Sequence, residues 1–257
     1  MNAAGNWEAL KTIVHREVHR ILRIWGQTLV PPAITMTLYF VIFGNLIGSR
    51  IGEMHGMRYI DFIVPGLIMM SVIQNSYGNI VSSFFGSKFQ RFIEELLVSP
   101  TPNWVILTGY ILGAVARGLM VGAIVLVVAM CFTRIQLHHP LVTLATLLLT
   151  SVMFGFAGFI NAIYAKKFDD IAIVPTFILT PLTYLGGVFY SVSLLPPFWE
   201  KVSQMNPILY MVNAFRYGLL GVSDVPLGTA FAVMIGATVA LGAFSMHLLV
   251  KGKGLRA

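Results

Sequence analysis

The sequence predicts an all-α polytopic membrane protein with six transmembrane helices. Three observations carry this. Of 257 residues, 57% are hydrophobic and 11% are charged, whereas soluble domains carry about 25% charged residues. Six apolar stretches stand apart in the chain, each near the length of about 20 residues that crosses a bilayer. The basic residues are sorted. With six spans both termini share a side, and that side carries eleven of the 17 Lys and Arg, the other side five. Cytoplasmic loops are the ones enriched in Lys and Arg, so both termini are expected in the cytoplasm. The same bias accounts for the net charge of +7 without invoking nucleic acid.

The chain opens with an amphipathic helix over residues 6–25. Trp7, Leu10, Val14, Val18, Ile21 and Trp25 recur at helical spacing and form one apolar face. Lys11, His15, Arg16, His19, Arg20 and Arg23 fill much of the rest, the pattern of a helix lying on the inner membrane surface. His15 and His19 are four apart, but Arg16-Glu17-Val18 lies between them and the HExxH zinc pattern fails. They read as solvated. No cleavable leader is expected, since these residues lack an apolar core beside a small-residue cleavage site.

The first span is 28–48, with Pro31-Pro32 in its first turn, where proline is tolerated. The second is 62–86. It carries Gln74, Asn75, Ser76, Tyr77 and Asn79, which either bond neighbouring helices or line a wet pathway. Residues 88–98 follow as a short amphipathic helix, stopped by Pro100 and Pro102. The third span, 104–132, holds Arg117 near its middle, a costly charge at that depth unless paired or wet. Cys131, the single cysteine, is expected as a small buried apolar residue, and alone it excludes an intrachain disulfide. Three GxxxG spacings, Gly44/Gly48, Gly109/Gly113 and Gly118/Gly122, permit close helix approach. The fourth span is 141–163, followed by the charged turn Lys166-Lys167-Phe168-Asp169-Asp170.

The fifth span, 171–191, is interrupted by Pro175 and Pro181 and ends near Gly186-Gly187. Such breaks survive in a membrane only where protein or water re-satisfies the freed backbone. Leu195-Pro196-Pro197-Phe198-Trp199 then reads as an interfacial turn with an aromatic anchor. The uncharged stretch from Val202 to Phe215 is too short to span, so residues 194–222 form a half-immersed outer segment. The sixth span is 227–249, and the tail after it is basic.

Several chemistries are missing. There is no GxxxxGK[ST] phosphate loop, so the chain has no ATP site of that kind. There is no GxSxG elbow and no pair of intramembrane carboxylates. No catalytic residue, metal ligand or cofactor is expected. Two readings remain at this level: a subunit of a driven transporter, or a channel or scaffold that works without ATP.

An ordered set of motifs narrows the choice. Tyr59 to Met70 (YIDFIVPGLIMM), Arg91 to Pro100 (RFIEELLVSP), Phe168-Asp169-Asp170, Pro181 to Phe189 (PLTYLGGVF), Leu195 to Trp199 (LPPFW), and Asn206 to Tyr210 (NPILY) followed by Arg216 together resemble the permeases of the ABC-2-type transporter family. The likeness runs nearly the full length and is strongest to the bacterial YadH-like and NodJ-like members. It implies the transmembrane permease subunit of an ATP-binding cassette exporter, a single transmembrane domain over 1–257 that forms a homodimer in the bacterial inner membrane. Two copies of a separate ABC ATPase would hold ATP and Mg. Helix 6–25 would be the interface helix, 88–98 the coupling helix, and 194–222 the re-entrant outer helices. Lys88, Arg91, Phe92, Glu94 and Glu95 would then contact the ATPase. Gln74, Asn75, Tyr77, Thr180, Thr183 and Tyr184 are candidates for the substrate route. The neutral, aromatic-rich spans favour an amphipathic, lipid- or glycan-linked or drug-like cargo.

Overall fold

A computed structural model describes residues 3–54, 56–252 and 254, leaving out the side chain of Asn45. Lys253 and Arg256 of the basic tail lie outside the described residues. The chain is helical almost throughout. In order come α1 (Ala3–Arg23), α2 (Trp25–Ile51), α3 (Tyr59–Phe89), α4 (Phe92–Val98), α5 (Asn103–Met130), α6 (Pro140–Tyr164), α7 (Asp170–Leu185), α8 (Pro197–Gln204), α9 (Pro207–Leu220) and α10 (Leu227–Lys251). A two-stranded hairpin, Glu53–Met54 with Met57–Arg58, joins α2 to α3.

Among the described residues four helices, α2, α5, α6 and α10, are long and apolar enough to cross a membrane. The other two predicted spans fall on α3 and α7, which differ from these four for separate reasons. At 31 residues α3 has ample length, but its polar cluster from Gln74 to Asn79 dilutes its apolar character. By contrast, α7 is apolar but short, assembled from pieces of five, five and six residues. Its middle piece, Pro175–Leu179, is a π-helical turn. Pro175 and Pro181 lack the N–H that a regular ladder needs, and the widened turn absorbs the mismatch. The helix ends at Leu185, six residues before the expected boundary.

The bundle is organised on α3. From Phe62 to Ile73 every side chain is buried, because α6, α5 and α9 all pack on it. Two core layers stack along the bundle. The layer near α1 joins Ile80, Phe84 and Phe85 to Tyr110, Phe159 and Leu248. The layer at the opposite end joins Phe62, Leu67 and Val72 to Val125, Phe154, Met211 and Phe215.

Three expectations change. The buried face of α1, which packs on α5, is Ile13, Glu17 and Ile21, and shares only Ile21 with the Trp7-to-Trp25 stripe. Trp7 and Trp25 are well exposed. The packed face is rotated by about 60° from the stripe at 3.6 residues per turn. Cys131 is exposed rather than buried: it caps α5 on the outer side, while Phe132 and Thr133 after it turn inward to the core. The short helix begins at Phe92, and Lys88 belongs to α3. The break is at Arg91, whose φ of 64° is left-handed.

Candidate functional site

The α1 end of the bundle gathers most of the residues marked for partner contact. Its geometry starts from the break after α3. With Arg91 in the left-handed region, the chain turns sharply and α4 leaves the bundle axis. Ile93 is buried as the anchor of α4, while Phe92, Glu94, Glu95 and Val98 face outward. The amphipathic spacing therefore lays one apolar row on the bundle and leaves a charged row free.

Lys88 does not share that free surface. Its ammonium donates to the carbonyls of Ala165 at 2.8 Å, Ile163 at 2.5 Å and Ala162 at 3.4 Å, in the last turn of α6 and at its C-cap. A cation there satisfies orphan acceptors and opposes the helix dipole. The turn after α6 is drawn to the same place. Phe168 packs edge-on against Phe85 and Phe89, with centroids 5.1 and 4.9 Å away. Asp170 closes the turn by accepting the backbone N–H groups of Lys166 and Lys167 at 2.8 and 3.0 Å.

The result is a cavity of about 700 Å³ whose lining includes Lys88, Phe89, Arg91, Glu94, Tyr164 and Lys166. Three of the five coupling candidates thus share one cavity. Phe92 turns instead to a second cavity beside α1, and Glu95 is exposed on the outer row of α4. The contribution of Tyr164, Lys166 and Phe168 went unread in the sequence. An aromatic inside a charged turn, Lys166-Lys167-Phe168, was the available signal.

The mid-bundle candidates divide into two groups. The Asn75 amide oxygen accepts from Arg117 at 3.1 Å, and its nitrogen donates to Ser71 O at 3.0 Å. This gives the charge in α5 a polar partner on α3, the helix-to-helix bonding that the sequence left open. Tyr77 is buried and Gln74 half-buried. On α7, Thr180 and Thr183 spend their hydroxyls on their own helix, at Pro175 O (2.9 Å) and Leu179 O (2.7 Å). Tyr184 is exposed and stacks on Phe189 at 5.9 Å.

At the opposite end, Arg216 is fully buried on α9. Its guanidinium donates to Gly187 O at 2.7 Å, lies 3.9 Å over the Phe62 ring and stands 3.9 Å from Asp224. Asp224 in turn accepts from Ser191 Oγ at 2.8 Å and Val192 N–H at 3.2 Å. These bonds tie the end of the α7 segment, α9 and the approach to α10 into one unit. Nearby, Arg58 makes a two-pronged pair with Asp61 at 2.9 and 3.0 Å, which raises the Arg58 pKa further.

A helical bundle in which, among the described residues, four helices are long and apolar enough to cross a membrane defines a class: the polytopic α-helical membrane proteins. Comparison with known proteins makes this specific. The family model described as ABC-2 type transporter matches residues 8–220, and the chain belongs to that family. It is 60% identical over 250 residues to the inner membrane transport permease YadH of Escherichia coli (strain K12), covering 97% of this chain and 98% of that one. It is 25% identical over 185 residues to nodulation protein J of Sinorhizobium fredii, covering 72% and 70%. With nodulation protein J of Rhizobium meliloti the identity is 24% over 192 residues, covering 74% and 73%.

Proposed function

We propose that this chain is the transmembrane subunit of an ATP-driven exporter in the bacterial cytoplasmic membrane, paired with two copies of a separate ATPase and acting as a homodimer. ATP and Mg belong to the ATPase partner. The reading takes α3 and α7 as the second and fifth of six crossings. At 1.5 Å per residue α3 reaches about 46 Å, enough to span. Both termini, and with them α1 and α4, then lie in the cytoplasm, in line with the distribution of Lys and Arg. Transport and an inner-membrane location are also what the name of the E. coli relative states.

The observation that carries the proposal is α4 itself. It projects an outward row of Phe92, Glu94, Glu95 and Val98 from a sharp break, and its base is fastened to the end of α6 through Lys88. A partner that moved α4 would therefore move two crossing helices. On this reading Lys88 and Arg91 set the position of α4, and Phe92, Glu94 and Glu95 meet the ATPase. The substrate route follows α3 and α7 past Gln74, Asn75, Tyr77, Thr180, Thr183 and Tyr184, and suits an amphipathic, lipid- or glycan-linked or drug-like molecule.

Reversing Glu94 and Glu95 to Lys tests the coupling role. ATP hydrolysis by the purified complex should lose its dependence on this subunit while membrane insertion is unchanged. Hydrolysis that stays coupled in the double variant contradicts the assignment.

A further inference from the structure

A second polar cavity, of about 290 Å³, lies between α1, the last turns of α3 and the first residue of α4. Its lining includes Arg16, Arg20, Ser82, Ser87, Gln90 and Phe92. Its floor is a buried network. Glu17, 1% exposed, accepts from Ser83 Oγ at 2.6 Å and from Arg20 Nη2 at 3.2 Å. The same Arg20 nitrogen donates to Asn79 Oδ1 at 2.8 Å. Arg16 is pinned by a bond to the Tyr110 hydroxyl at 2.8 Å, yet half of its side chain remains open to solvent.

The charges do not balance. Two guanidinium groups share one carboxylate, whose oxygens are already taken. Among the described residues, Arg20 Nε is buried without an acceptor. Gln90 is exposed at the rim. An open cleft with a surplus positive charge and amide and hydroxyl groups at its edge matches a phosphate, which takes bidentate guanidinium bonds. Trp7 and Leu22 are exposed on α1, and Trp25 is exposed at the start of α2. Exposed indoles sit at headgroup depth, so α1 lies at the depth of the lipid phosphates, with Arg16 and Arg20 on the side turned away from Trp7 and Leu22.

We propose that this cavity binds a phosphate-bearing headgroup of a membrane lipid, held by Arg16 and Gln90 at the rim and by Arg20 from below. Placing it in the inner leaflet rests on the orientation proposed above; the binding chemistry does not. With Phe92 in its wall, an occupied cavity braces the start of α4.

The purified full-length chain, delipidated in neutral detergent, is titrated with phosphatidylglycerol, with diacylglycerol of equal chain length and with inorganic phosphate, and bound molecules are read by native mass spectrometry. Phosphatidylglycerol should bind and diacylglycerol should not. Arg16→Gln and Gln90→Ala should each weaken binding about tenfold, while Lys11→Gln, on the exposed far side of α1, leaves it unchanged. Gln90 is at the surface, so its variant reports on the site even where Arg16→Gln fails to fold. Equal binding by Gln90→Ala and the parent overturns the proposal, as does an equal loss in Lys11→Gln, which would indicate surface charge alone. Inorganic phosphate binding that depends on Arg16, with no lipid bound, overturns the lipid source. No ATPase is needed, so failure here is distinct from failure of the coupling assignment.

Discussion

Arg91 holds a conformation that its side chain disfavours. A non-glycine residue in the left-handed region costs about 1–2 kcal/mol, and among the described residues Arg91 is the sole non-glycine with positive φ. The surrounding packing of Phe85, Phe89 and Ile93 outweighs that cost. Arg91→Gly should therefore raise stability or leave it unchanged, by up to about 1 kcal/mol, while Arg91→Val should lower it by at least that much. The thermal midpoints of the purified variants check the sign. None of this was legible beforehand. The sequence marks a helix-sized apolar row from Phe89 to Leu97, but a left-handed residue is selected by tertiary contacts. Lys88 was misplaced for the same reason: the carbonyls it caps belong to residues 162–165, far along the chain.

At the scale of elements, the docking of α1 on α5 is a fit between two spacings. Gly109 and Gly113 are four apart, and Ile13 and Glu17 are four apart. A Cβ built on Gly109 would meet Ile13 Cγ2 at 2.5 Å, and one on Gly113 would meet Glu17 Cβ at 2.8 Å. Two helices can approach this closely only where one of them has no side chains. Gly113→Leu should push α1 away, at about 1–3 kcal/mol for the overpacked contact, and open the Glu17–Ser83 and Arg20–Asn79 bonds. A lowered thermal midpoint together with faster proteolysis within residues 3–23 checks this; an unchanged midpoint contradicts it. The GxxxG spacing was visible in the sequence and proved to be the seat of α1. Which face would sit there was not. The Trp7-to-Trp25 stripe is more apolar, yet a buried carboxylate with bonding partners on α3 competes successfully with it.

Across the whole molecule, the signals of length and apolarity survived best and the cooperative ones worst. Apolar runs place α2, α5, α6 and α10 close to the expected bounds, since length and apolarity are local properties. The centre of the bundle, α3, is instead the helix with the polar cluster. It is enclosed by α5, α6 and α9, so Asn75 is satisfied by Arg117 and Ser71 rather than exposed to lipid. The joining of the end of α3, from which α4 departs, to the end of α6 through Lys88 and Phe168 is a property of the assembled bundle, and it gives the exposed helix a mechanical connection to the rest.

On the proposed function, another protein pulls on that connection. The most direct measurement is to tag the C-terminus, cross-link native membranes before mild extraction, and assay the purified material for vanadate-sensitive ATP hydrolysis. The prediction is activity together with a co-purifying soluble subunit of ABC-ATPase size. Cross-linked material containing only this chain, with no vanadate-sensitive hydrolysis, would contradict the exporter assignment.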